Sequence, residues 1–157
     1  MLAVIAIFAG CSRHVTVAPS PHLTVFYCKA GSDDLVRVPF TVDSKLTGSA
    51  LATYALSQML AGPSVGRDSI VLFPAGTEAT VSTEGDVATV DLNGSIVRSF
   101  QGGAGDEVGM FKSLTYTLTG LPGIKSVQVL VAGQRKAALP GGHLEIDEPL
   151  TRDTFAQ

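Results

Sequence analysis

The chain has 157 residues, 45% of them apolar and 16% charged, which argues against disorder and supplies the core of one domain better than two. Its formal net charge is -3, its pI is near 5.5, and no lysine or arginine cluster occurs. A nucleic-acid surface needs a basic stripe to displace counterions, so that class of partner is disfavoured.

The first residues form their own region. Met1 to Phe8 is apolar and runs into Ala9, Gly10 and Cys11. Spanning a bilayer as a helix takes about 20 apolar residues, so this run fits an export signal ending in small residues instead. We read residues 1–10 as a lipoprotein signal peptide. Phe8-Ala9-Gly10-Cys11 resembles a lipobox, which makes Cys11 the expected site of lipidation. Phe8 replaces the usual leucine, and no basic residue precedes the apolar run. Two acyl chains on Cys11 would give the stable membrane attachment that one chain does not. Residues 11–21, with Pro19 and Pro21, read as a tether.

The domain itself is expected over residues 22–152, with a tail at 153–157. His22 to Cys28 is apolar on both faces, as in a strand covered on both sides. Cys28 is expected as a buried thiol; a Cys11–Cys28 disulfide is the alternative if Cys11 carries no lipid. After a polar turn, Leu35 to Phe40 reads as the second arm of a hairpin. Pro39 places that arm at an edge or a terminus, because proline lacks the ladder donor. Thr47 to Ala61 has an apolar stripe through Leu51, Ala55, Leu56, Met59 and Leu60. Thr47 or Ser49 is its expected cap, and Gly62-Pro63 ends it.

A loop then leads through the apolar run Ile70 to Phe73. Glu78–Thr83 and Val87–Leu92 alternate apolar and polar residues around Glu84-Gly85-Asp86, a hairpin with one wet face. Gln101-Gly102-Gly103-Ala104-Gly105 reads as a mobile loop before a helix from about Asp106 to Leu121, whose first-turn acids suit the helix dipole. Ser126 to Val131 is the last strong strand, and Leu144 to Ile146 a short final one. The expected fold is α/β (α+β) and single-domain. It has a mixed sheet of about five or six strands, with two helices packed on one face, in the order β-β-α-β-β-α-β.

Several strings together resemble the GerMN domains of sporulation and spore germination proteins. They are Gln58-Met59-Leu60-Ala61-Gly62-Pro63, Pro74-Ala75-Gly76-Thr77 and Ala88-Thr89-Val90-Asp91-Leu92, followed by the long run Thr115 to Val131 containing Leu121-Pro122-Gly123-Ile124-Lys125. Gly142-His143-Leu144 and Glu148-Pro149-Leu150 match the tail of that family. The similarity covers about Leu23 to Arg152. One departure is Ala132 before Gly133, where the family commonly has aspartate or asparagine. The resemblance implies a domain often found in lipoproteins on the outer face of the cytoplasmic membrane. Some members serve spore envelope assembly and germination, others stand beside sensor kinases or in bacteria that never sporulate. It implies no enzymatic activity.

The residues themselves argue the same way. His14 and His22 lie in or beside the tether, and no nucleophile-elbow string accompanies His143, the best general-base candidate. No catalytic residue, metal ligand or cofactor is expected. Asp91 is read as a binder of backbone amides in the turn that follows it, against a metal site with Asp86 or Asp106. Residues 101–105 lack the Walker lysine and are the expected partner-binding loop. The expected function is that of a lipid-anchored, extracytoplasmic binding or assembly module whose partners are envelope proteins or peptidoglycan. A peptidoglycan-acting hydrolase using His143 and a small-ligand carrier are the alternatives.

Overall fold

The structure is a computed structural model that describes residues 22–32, 34–140 and 142–156. The signal peptide, Cys11, its alternative disulfide and the tether with His14 lie outside the described residues. Among the described residues, five strands form two sheets, not one. Strands β1 (His22–Cys28) and β2 (Leu35–Thr41) make an antiparallel hairpin; β3 (Ala79–Glu84), β4 (Val87–Leu92) and β5 (Ser126–Val131) make a sheet in that order, β3–β4 antiparallel and β4–β5 parallel. Helix α1 spans Gly48–Ala61, α2 is a short turn of helix at Ser95–Ser99, and α3 spans Ala104–Leu118.

Helix α3 packs on β1 and β5, while α1 packs on β3, β1 and α3. The helices therefore join the two sheets, and both pack on β1. The core they enclose contains Val25, Tyr27, Leu56, Val90, Phe111, Leu114, Leu118 and Val129.

The short α2 has no counterpart in the sequence reading, and α3 begins at Ala104 and stops at Leu118, earlier at both ends than expected. The expected strand at Leu144–Ile146 does not form. Leu150 bridges to Val127 instead, and Ile70 makes only an isolated bridge to Lys29. Gly62 ends α1 at φ 72, its N–H donating to the carbonyls of Gln58 and Met59. Thr47 takes the cap position without a side-chain hydrogen bond, and the Ser49 hydroxyl pairs with that of Thr83 at 2.7 Å, so neither caps the helix as expected.

Backbone geometry explains the two edges of the first hairpin. The Phe26 N–H donates to Thr117 Oγ1 on α3 at 2.9 Å, so Phe26 points its polar groups away from β2. Its register partner Arg37 then points outward too, and so does Pro39 two residues on. Proline thus stands where no ladder donor is needed, as its place in the sequence demands. Helix α3 covers the opposite edge, that of β1.

All connections gather at two poles. β1, α1, β4 and β5 run from the first pole to the second, and β2, β3 and α3 run back. His22, residues 42–48, the Gly85 turn and residues 119–125 lie at the first pole; residues 29–32, 34, 62–78, 93–103, 132–140 and 142–145 lie at the second.

Candidate binding surfaces

At the second pole the long connections are held by side chains. Glu107, in the first turn of α3, is only 1% exposed. Its Oε2 accepts the backbone N–H of His143 at 2.6 Å and that of Leu144 at 3.3 Å. Its Oε1 has no hydrogen-bond partner and lies against Gly142, where an added Cβ would collide with it. A side chain at 142 would thus displace the carboxylate, which ties the tail segment to the start of α3. Asp106 acts beside it: its Oδ2 accepts the Gly103 N–H at 3.2 Å, which is half of a capping box, since Gly103 has no side chain to return the bond.

The expected partner loop is thereby divided. Gln101, Gly102 and Gly103 precede the helix, whereas Ala104 and Gly105 already belong to it, and the whole run is exposed. Gly102 packs so closely on Asp106 and the Phe100 ring that a Cβ would sit 2.7 Å from the first and 2.9 Å from the second. The glycine answers a packing demand there.

Asp91 binds a backbone amide, as expected, but of a different turn. Its Oδ1 accepts the N–H of Gly133 at 2.8 Å, not an amide in the Asn93–Gly94 turn. That contact supports the turn in which Ala132, at φ 51, and Gly133, at φ 74, are both left-handed. Such a two-residue turn favours asparagine, aspartate or glycine at the position Ala132 occupies. Asp86 pairs with Lys125 at 3.1 Å, so the three aspartates serve three separate places. Among the described residues no group of three or more histidine, cysteine, aspartate or glutamate side chains could hold a metal ion.

His143 meets Glu107 through its backbone, not its ring, so the contact does not form an acid–base pair. Cys28 is buried, as expected, and its thiol donates to the Ser32 carbonyl at 3.3 Å. Tyr27 is also buried and donates to the Gln58 carbonyl at 3.0 Å. Burial pushes its pKa up to about 12, against a smaller lowering by Arg67. A small cavity of about 370 Å³ remains at this pole, between Cys28, Ser32, Val108, Lys112 and Phe155.

The first pole is finished differently. A cleft of about 720 Å³ lies there among β1, the start of α1, the Gly85 turn and residues 120–124. Leu23, Phe26, Val42, Leu46, Leu51 and Leu121 supply apolar wall, and Asp43, Thr47, Thr83 and Arg152 supply polar groups. That volume falls in the usual range for ligand sites, about 300–1,000 Å³. The Arg152 guanidinium is turned away from an open role: it donates to Thr119 Oγ1 at 2.9 Å and lies 4.9 Å from the centre of the Tyr116 ring. His22, the first described residue, stands at the mouth. Sequence reasoning found neither this cleft nor Glu107, because both arise where segments distant in the chain meet.

Among the described residues no helix is long and apolar enough to cross a membrane. Residues 24–137 match the family described as Sporulation and spore germination. The first GerMN domain of the sporulation protein GerM from Bacillus subtilis has a similar fold, with a TM-score of 0.66 and 19% identity over 85% of this chain and 99% of that one. The tandem GerMN domains of the same protein give a TM-score of 0.61 and 23% identity, covering 86% of this chain and 46% of that one. A Clostridium perfringens protein provisionally described as a lipoprotein gives 0.60 and 21%, covering 88% of this chain and 94% of that one. No curated protein matches the sequence.

Proposed function

Since the chain belongs to the sporulation and spore germination family, whose model spans residues 24–137, we propose that it is a non-catalytic binding module of the bacterial cell envelope, moored outside the cytoplasmic membrane by acyl chains on Cys11. The observation that carries the binding role is the 720 Å³ cleft at the first pole. Its leucine, valine and phenylalanine wall suits apolar protein side chains better than the hydroxyl-rich sugars of peptidoglycan. An envelope protein is therefore the partner of choice, with the exposed run Gln101 to Gly105 as a second contact at the far pole. No cofactor enters this role.

Placement follows from length. At about 3.3–3.6 Å per residue, residues 11–21 hold the domain within roughly 40 Å of the lipid surface. The cleft, which opens beside His22, is then the end of the domain nearest the bilayer, where a membrane protein's external segments are found.

The test places a photo-crosslinking residue at Leu46 in the intact lipoprotein in its own membranes. Recovery of a defined envelope protein, lost when the crosslinker is moved to an exposed position remote from both poles, supports the reading. Crosslinking only to lipid, or equally at both positions, overturns it. Palmitate labelling that persists in Cys11→Ala overturns the anchor.

A further inference from the structure

We propose that the partner segment seated in the first-pole cleft carries a carboxylate beside its apolar anchor, and that Arg37 is the residue that reads it. The inference rests on the cleft as the partner site and names the chemistry of the segment it takes.

A wall of leucine, valine and phenylalanine accepts any apolar side chain, so selection has to come from charged groups within reach of it. The lining residues carry one carboxylate, Asp43, and one guanidinium, Arg152, with His22 at the mouth. Asp43 is engaged in its own turn, where Oδ1 accepts the Lys45 N–H at 2.9 Å. Arg152 is held as well. Its Nε donates to Thr119 Oγ1 at 2.9 Å and a terminal nitrogen donates to the Tyr116 carbonyl at 3.4 Å. Its charge still acts on the cleft, but two of its nitrogens are committed.

A second guanidinium stands just outside the lining. Phe26 lines the cleft, and Arg37, its register partner across the hairpin, lies over the same ring, with Cζ 5.8 Å from the ring centre. The Phe26 ring meets Tyr116 edge-on at 5.9 Å, and Arg152 lies over Tyr116 at 4.9 Å. Two cations thus stand at the ends of a row of two rings, and the first ring is itself part of the cleft wall. Arg37 is exposed, and among the described residues its side chain makes no hydrogen bond or ion pair. A guanidinium stacked on a ring keeps its N–H groups in plane at its edge, in the fork that fits a carboxylate bidentately. Part of the entropy of ordering that side chain is already lost to the stack.

A peptide carboxylate suits this site better than the phosphodiesters of a wall polymer. The chain carries a net charge of -3, so a long polyanion is repelled at range. An apolar wall next to an unanswered cation calls for a ligand with both characters close together. Glutamate or aspartate beside leucine or phenylalanine provides them.

The experiment passes a short-peptide library over the immobilised full chain in neutral detergent at low salt. The peptides contain leucine, valine, phenylalanine and alanine with one glutamate at any position, mixed with the matching glutamine library, and retained peptides are read by mass spectrometry. Wild type should retain glutamate peptides about three- to fivefold over their glutamine counterparts, the effect of one charge-assisted pair at an exposed site. Arg37→Gln should abolish that preference while both libraries are still retained, Arg37→Lys should keep only part of it, and added salt should lower it in wild type. Equal retention of the two libraries by wild type overturns this inference and leaves the cleft reading standing, as does a glutamate preference that survives Arg37→Gln. Retention of neither library overturns both readings. Displacement of the glutamate peptides by poly(glycerol phosphate) at an equal concentration of anionic groups overturns the peptide assignment in favour of a wall polymer.

Discussion

The two ends of this molecule are made by the same strands and helices, yet one is tied and the other is left apart. At the tied end, the long connection after β5 is stitched by Asp91 on the Gly133 amide and by the buried Glu107 carboxylate on the amides of His143 and Leu144. At the open end, shorter connections surround a cleft of about 720 Å³. The difference teaches that a buried carboxylate is spent where a long connection must be ordered against its entropy, whereas the ties of the open end, Ser49 to Thr83, Asp86 to Lys125 and Arg152 to Thr119, are solvent-exposed.

The largest expected effect attacks the tied end. Glu107→Ala removes the acceptor for the His143 and Leu144 amides and should cost about 2–4 kcal/mol, read as a lower urea midpoint at unchanged slope. A loss below about 0.5 kcal/mol would show that the tie contributes nothing beyond ordinary surface contacts.

The next test is pH. Tyr27 holds its proton more tightly folded than unfolded, because its folded pKa stands at about 12 against an ordinary 10.0. Its contribution is intact below pH 10 and declines as the pH rises toward 12. The loss is on the order of 2–3 kcal/mol, and Tyr27→Phe should flatten that portion of the stability curve. A curve of the same steepness in the variant would assign the alkaline loss elsewhere.

The smallest effect belongs to the open end. Leu46 is partly buried on the cleft wall, and Leu46→Ala should cost only about 1 kcal/mol while weakening crosslinking of any partner there. A cost matching that of Glu107→Ala would erase the contrast between the poles.

The elements were legible where the signal is local. Alternation around Gly85 marked the β3–β4 hairpin, Gly62-Pro63 marked the end of α1, and Pro39 marked an edge strand. Pairing across the chain was not legible. Periodicity reports which face of a strand is covered but not which strand lies beside it, so two sheets looked like one. A helix of 5 residues such as α2 leaves too few turns to show a stripe. Glu107 reads as one of two acids suited to a helix dipole, and nothing near it announces that His143, 36 residues further on, will lean on it. The cleft has no local signature at all, since its walls come from five separate stretches of chain.

The hydroxyl of Thr117 on the flank of β1 carries a further consequence. A bare strand edge is a template on which other chains can grow, and proteins guard such edges or risk fibrils. Here one flank of the first hairpin is plugged by a helix hydroxyl at 2.9 Å, and the other is spoiled by Pro39 beside the charge of Arg37. Crowded at high local density, the first hairpins of neighbouring molecules can lie side by side without zipping into one another.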